Sequence, residues 1–121
     1  MQFTVQESGG VKYALVEDQS EVMVTAQDAL DLAAEALYQA CECALIPKAK
    51  INEAFFDLRT GLAGEILQKF TNFRFRVAII GDFGGYASKA LQDFIYESNN
   101  RGKVLFVPTA EEALAIFAKS R

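Results

Sequence analysis

Two short apolar runs in the C-terminal half of the chain constrain its fold more than any other feature. Residues 77–80 read VAII and residues 104–107 read VLFV, with no polar position among them. Such unbroken runs are typical of parallel strands that are covered on both faces. The residues between them carry apolar side chains at helical spacing. The pattern therefore predicts a strand, a crossover helix and a second parallel strand.

The same alternation of strands and helices extends over most of the chain. An alternating pattern from Phe3 to Leu15, broken at Gly9 and Gly10, predicts a β-hairpin. Residues 43–46 predict another strand, and the apolar run at 22–24 is a possible further one. Apolar stripes at intervals of three and four residues predict four helices: Leu30, Ala33, Ala34, Leu37 and Cys41; Leu62, Ala63, Ile66, Leu67 and Phe70; Ala90, Leu91, Phe94 and Ile95; Ala113, Leu114 and Phe117.

These elements predict an α/β fold, with one domain over residues 1–121. An N-terminal hairpin is followed by alternating helices and strands, in a mixed and mostly parallel sheet flanked by helices. Thr25, Ser88 and Thr109 each precede a predicted helix and are expected to be its N-cap.

Charge and composition argue against several classes of function. The chain of 121 residues has a net charge of −4 and lacks histidine, which argues against a general nucleic-acid surface and against a histidine-based triad or zinc site. Arg74 and Arg76 could form a small basic patch, but a solvated strand start is the preferred interpretation. Cys41 and Cys43 are expected to be ordinary core thiols. No metal and no cofactor are predicted.

The location of the protein is predicted from two absences in the sequence. No apolar run approaches the roughly 18 residues of a membrane span. The N-terminal residues also lack the basic and apolar regions of a secretory signal. We therefore expect no membrane association and a cytoplasmic location.

Candidate functional residues lie in two segments that lead into predicted helices. Ligands of open α/β sheets bind at the carboxyl ends of the strands, where these helices begin. The candidates in the two segments are Asp57, Arg59, Thr60, Gly61 and Gly64, and then Asp82, Tyr86, Ser88 and Lys89.

Each segment allows a functional and a purely structural interpretation. Thr60 lies at or near a helix start, where free N–H groups favour a phosphate or another anion; it could equally be a simple helix cap. The glycine-rich segment 81–85 matches neither nucleotide-binding glycine pattern, and Tyr86 could contact a partner or fold back onto the core. Asp57 and Asp82 as paired carboxylates leave an enzyme open as a minority view.

The longest motifs resemble a known bacterial family. The stretch FFDLRTGLAGEILQKF at 55–70, followed by VAIIGDF at 77–83 and SKALQDFIYESN at 88–99, is similar to a family catalogued as a domain of unknown function. The resemblance extends nearly from end to end and implies a bacterial, cytoplasmic single domain. It implies no activity.

A more distant resemblance concerns the turn from Asp57 to Leu62. Chain length, element order and this turn are similar to STAS domains of anti-sigma-factor antagonists, whose Asp-Ser-[Ser/Thr]-Gly-Leu-Gly turn carries a phosphorylated serine and docks on a partner. The resemblance implies a STAS-like fold, with Thr60 near the phosphorylated hydroxyl. Leu58 and Arg59 place one more residue between Asp57 and Thr60 than the STAS turn has at this point. The resemblance therefore implies a docking surface more directly than it implies phosphorylation of Thr60.

The leading hypothesis is thus a non-enzymatic, regulatory protein-interaction module that binds a protein partner through the turn before the second helix. Self-association through the first strand of the hairpin is a further expectation, because an edge strand can pair with another copy. The alternative is a sensor or binder of a small anionic ligand at the same carboxyl ends of the strands.

Overall fold

The computed structural model describes residues 3–17 and 22–120. Five strands form one sheet in the order β1-β2-β3-β4-β5, antiparallel between β1 and β2 and parallel elsewhere. The strands are β1 (Phe3–Ser8), β2 (Val11–Val16), β3 (Cys43–Pro47), β4 (Arg76–Ile80) and β5 (Val104–Val107). The helices are α1 (Ala26–Tyr38), α2 (Leu62–Asn72), α3 (Lys89–Arg101) and α4 (Ala110–Lys119).

The predicted fold class is confirmed, including the hairpin and the mostly parallel sheet. Gly9 and Gly10 both have positive φ, at 57° and 82°, as a two-residue hairpin turn of the favoured hand requires. The run at 22–24, considered as a further strand, contributes only an isolated bridge from Met23 to Ile51.

Local capping signals were predicted well. The Thr25 hydroxyl accepts from the N–H of Asp28, whose carboxylate accepts from the N–H of Thr25 in return. Ser88 accepts from Leu91 at the start of α3. These side chains satisfy amides that the first turn of a helix leaves without a partner.

The two faces of the sheet are covered unequally. Helices α1, α2 and α3 pack on one face, because β2 to β5 are added in sequence and their right-handed crossovers all fall on the same side. Helix α4 covers the other face, where Phe117 is fully buried. Cys41 and Cys43 are buried, as predicted, and they lie in the cores of opposite faces.

The predicted inward stripe of α1 is confirmed at Ala33 and Cys41 and is wrong at Ala34 and Leu37. Ala34 and Leu37 are exposed, and the buried residues of α1 are Ala29, Leu32, Ala33 and Ala36. Apolar residues lie almost all round this helix, so more than one stripe fits helical spacing. The packing of α1 against β2 and α2 selects the stripe that is buried.

Candidate functional site

The candidate site lies where β3 and β4 end and α2 and α3 begin. After β3 the chain crosses this edge in three short 3-10 turns, at Lys48–Lys50, Glu53–Phe56 and Leu58–Thr60. Phe55 and Phe56 are buried, so the middle turn is held to the core by two aromatic rings. The turn at 58–60 is thereby fixed directly in front of α2.

Aromatic stacking joins the two segments that the sequence singled out. The rings of Phe56 and Tyr86 stack with their centroids 5.3 Å apart and their planes 19° from parallel. The Tyr86 hydroxyl donates to the carboxylate of Glu53 at 2.7 Å. Phe83 folds inward and meets Phe106 edge to face at 5.4 Å. The two segments therefore form one surface.

Lys48 is a further part of this surface. Its Nζ lies 5.3 Å from the centre of the Phe56 ring and 5.0 Å from that of Tyr86, within the range of cation–π attraction. A hydrogen bond with Tyr86 raises the pKa of Lys48. Partial burial raises the pKa of Tyr86. Lys48 therefore stays protonated and Tyr86 stays neutral near pH 7.

Asp57 and Arg59 form a fixed pair on the outside of the turn. One carboxylate oxygen of Asp57 accepts from the Arg59 backbone N–H at 3.1 Å and from Nε at 3.0 Å, and the other accepts from Nη2 at 3.0 Å. These side-chain bonds lower the pKa of Asp57. The side chain of Arg59 remains 91% exposed, so the pair presents a charged edge to anything that approaches the turn.

Thr60 is an exposed residue, but its hydroxyl is already bonded to the backbone. It lies 2.8 Å from the carbonyl oxygen of Ala54 and 2.9 Å from that of Asp57, either of which can accept its proton. It also accepts from the N–H of Leu62 at 3.2 Å. Thr60 is thus near the start of α2, as predicted, while the N-cap position belongs to Gly61.

The two glycines of the turn leave the start of α2 open. Gly61 has a φ of 78°, which glycine adopts without strain. A side chain at Gly64 would meet no atom within 4 Å. Another surface could therefore approach the first turn of this helix closely.

The second segment is held by its own hydrogen bonds. Asp82 accepts from the N–H of Gly84 at 2.9 Å. The side chain of Gln92 donates to the carbonyl oxygens of Phe83 and Tyr86 at 2.9 and 3.2 Å. Lys89 pairs with Asp93 at 2.8 Å, which raises the pKa of Lys89.

A shallow groove of about 500 Å³ separates the two segments. Four of the predicted site residues, Asp57, Arg59, Tyr86 and Ser88, line it together. Its other walls are apolar side chains from the same two segments: Phe56, Leu58, Ala87 and Ala90. Thr60, Gly61, Gly64, Asp82 and Lys89 are not among its lining residues. Asp57 and Asp82 are therefore not brought together in this groove.

Sequence reasoning missed Lys48, Glu53 and Gln92. Lys48 directly follows β3, a strand that ends at the same edge of the sheet as β4. That position was a usable signal for Lys48. Glu53 is hydrogen-bonded to Tyr86, 33 positions away, and Gln92 to Phe83 and Tyr86, 9 and 6 positions away. No local sequence pattern reveals such pairs.

The fold and this groove define a small α/β domain with a mixed five-stranded sheet and an open surface at the carboxyl ends of its parallel strands. The chain belongs to the family described as domain of unknown function DUF4180, which matches residues 8–117. This confirms the predicted membership of such a family. No curated protein and no solved structure matches the chain. Among residues 3–17 and 22–120, none of the helices has the length and apolar character needed to cross a membrane.

Proposed function

We propose that this protein is a non-enzymatic, regulatory interaction module that binds a partner protein through the turn before α2. The observation that carries the proposal is the juxtaposition of an exposed, rigid turn with an apolar groove. The turn comprises residues 57–64, and the groove beside it is walled by Phe56, Leu58 and Tyr86. Aromatic side chains at a partly exposed groove are typical of protein-binding surfaces.

The charges around the groove favour a protein partner over a small anion. Each basic side chain of the surface already has a carboxylate close to it. Arg59 is bonded to Asp57 and Lys89 to Asp93, and Lys48 lies in the field of Glu53 and Asp82. A small anion would have to compete with these carboxylates. A protein surface could instead contact the Arg59–Asp57 and Lys89–Asp93 ion pairs and the apolar groove at the same time.

The STAS-like character of the module is part of the proposal. The order of elements and the turn into α2 support it, because the turn is exposed as a docking turn must be. Phosphorylation of Thr60 would break the hydrogen bonds of its hydroxyl to Ala54 or Asp57 and add negative charge beside the Asp57 carboxylate. A phosphate at Thr60 would thus loosen the turn and weaken docking.

Photo-crosslinking tests the docking surface directly. A photoreactive amino acid at position 64, on the exposed start of α2, should crosslink to a defined partner in extracts of cells that make the protein. The same amino acid at position 115, an exposed alanine on the opposite face, should not yield that product. Equal yields of the same product from both positions would contradict the proposal.

Three variants then separate docking from folding. Gly64→Arg fills the open approach to α2, and Thr60→Glu mimics the charge of a phosphate. Both should abolish the crosslinked or co-purified partner. Ala115→Arg adds the same side chain to a distant exposed helix position and should retain it. Retention of the partner by all three variants would refute docking through this turn.

A further inference from the structure

The two edges of the sheet differ in how their backbone groups are satisfied. At the β5 edge, the side-chain amide of Asn99 accepts from the N–H of Phe106 at 2.7 Å and donates to its carbonyl oxygen at 3.1 Å. Ser98 donates to the carbonyl oxygen of Val104 at 2.6 Å. Helix α3 therefore closes this edge with side chains, much as a neighbouring strand would close it with backbone groups.

Among residues 3–17 and 22–120, nothing comparable protects the β1 edge. Within the described ranges, β1 pairs with β2 on one side and no strand pairs with its outer side. Its six residues match β2 one to one without a bulge, and FTVQES contains neither lysine nor proline. Edge strands that must stay unpaired usually carry such devices. The strand is thus open to addition of another extended segment.

A groove lies between β1 and α1, next to this edge. Its volume is about 980 Å³. The lining residues are Phe3, Thr4, Glu17, Asp31, Leu32, Ala34, Glu35, Tyr38 and Gln39. Tyr38 is 88% exposed and Val5, on the same face of β1 as Phe3, is 37% exposed. An added strand would place alternate side chains against these apolar groups.

Charge selects the kind of occupant. Of the lining residues that the structure describes, three are carboxylates and none is a lysine or arginine. A second copy of the chain that paired through β1 would bring the same carboxylates towards this groove, and like charges would repel. A segment with alternating basic and apolar residues would be attracted and would also fill the apolar positions.

We propose that the β1 edge and its groove bind an extended, basic segment of a partner protein by strand addition. This surface lies apart from the turn before α2, so the two proposals succeed or fail independently. The backbone of β1 supplies the hydrogen bonds, Phe3, Val5 and Tyr38 supply apolar contacts, and Asp31 and Glu35 select for lysine or arginine.

The test uses a fluorescent peptide of about nine residues that alternates lysine and valine, since strands of this length are common. This peptide should bind the full chain, which would increase the fluorescence anisotropy of the peptide. Binding should also slow the hydrogen exchange of the β1 amides. The same peptide with glutamate in place of lysine should not bind. Binding of both peptides, or protection elsewhere than β1, would overturn the proposal.

Matched variants separate the groove from general attraction between opposite charges. Glu35→Lys should weaken binding about tenfold, because it replaces attraction by repulsion at an exposed position beside the groove. Glu97→Lys makes the same charge change on an exposed position of α3 and should leave binding within about twofold. If both variants lost the same peptide affinity, the net charge of the protein would explain binding, and the proposed site would be refuted.

Val5→Lys tests the strand itself. Lysine on an edge strand opposes pairing, and this exposed position accepts it without loss of core packing, so peptide binding should be lost while the melting temperature is kept. Sedimentation of the unmodified chain completes the test. A stable dimer that Val5→Lys dissolves would assign the edge to a second copy and overturn the choice of a basic partner.

Discussion

At the scale of single residues, the Asp57–Arg59 pair is the clearest electrostatic feature of the candidate site. Hydrogen bonds from Arg59 lower the pKa of Asp57 in the folded protein. The unfolded chain therefore binds the proton more readily around pH 4. The pair contributes stability above the unfolded pKa, and this contribution is lost as pH falls through the lower, folded pKa.

Arg59→Gln should raise the pKa of Asp57 towards its usual value of about 3.9. Carboxyl chemical shifts of Asp57, followed by NMR as a function of pH, measure this directly. Arg101→Gln removes an exposed arginine from α3 and should leave the titration of Asp57 unchanged. An Asp57 pKa that is the same with and without Arg59 would show that the pair is not formed in solution.

Gly81 is needed where the ends of β3 and β4 come together. A Cβ at this position would lie 2.7 Å from the Cβ of Lys48, which is closer than two non-bonded carbon atoms approach. Gly81→Ala should therefore lower the free energy of unfolding by about 1–3 kcal/mol, as overpacking does, and move Lys48 away from Tyr86. Chemical denaturation gives the first quantity, and NMR shifts of the Tyr86 ring report the second.

Gly85→Ala is the matched control for Gly81→Ala, because a side chain at Gly85 would meet no atom within 4 Å. This variant should be close to wild type in stability. If both variants lost the same stability, the close approach between Gly81 and Lys48 would not be the cause.

At the scale of elements, the closure of the β5 edge by α3 has a measurable energy. Asn99→Ala would leave the N–H and the carbonyl group of Phe106 without their side-chain partners in a partly buried place. The expected loss in unfolding free energy is about 2–3 kcal/mol. Urea denaturation measures this loss, and light scattering should show new association through the opened edge.

Asn100→Ala is the control for Asn99→Ala, since Asn100 is the next residue of α3 and is exposed. It should have little effect on stability or association. If Asn99→Ala were as stable as the unmodified protein, water would satisfy the N–H and carbonyl groups of Phe106 as well as the Asn99 side chain does.

Element identity was predictable because its signals are local. The Gly9-Gly10 turn, the Thr25 and Ser88 caps and the apolar run of β4 each act within a few residues. The buried stripe of α1 was not predictable in this way. Several stripes of similar hydrophobicity are available on that helix, and only its contacts with other elements decide between them.

At the scale of the whole molecule, the two sheet faces depend on different numbers of helices. In the described part of the chain, three helices cover one face and α4 covers the other. Phe117 is the fully buried aromatic side chain of α4. The guanidinium of Arg76 lies 4.6 Å from the centre of its ring and donates to Ser120 at 2.8 Å. Arg76 therefore stabilises the packing of α4 on the sheet. The sequence predicted only a solvated residue at the start of a strand.

Phe117→Ala should lower the free energy of unfolding by about 3–5 kcal/mol, because it leaves a cavity between α4 and the sheet. Ile116→Ala changes a neighbouring side chain that is 38% exposed and should cost far less. Thermal and urea unfolding of both variants measure the difference. Equal losses would show that α4 is not packed on this face as described.

The strands, the helices, the hairpin and the N-caps Thr25, Ser88 and Thr109 were predictable from the sequence, because they follow from short-range patterns of hydrophobicity and backbone conformation. It also indicated that residues near 57–64 and 82–89 would meet at one edge, since parallel strands end together. The three-dimensional structure was needed to show that Lys48 and Glu53 contact Tyr86 there and that Asn99 closes the β5 edge. Those contacts link residues separated in the chain, and their formation depends on how the helices pack across the sheet.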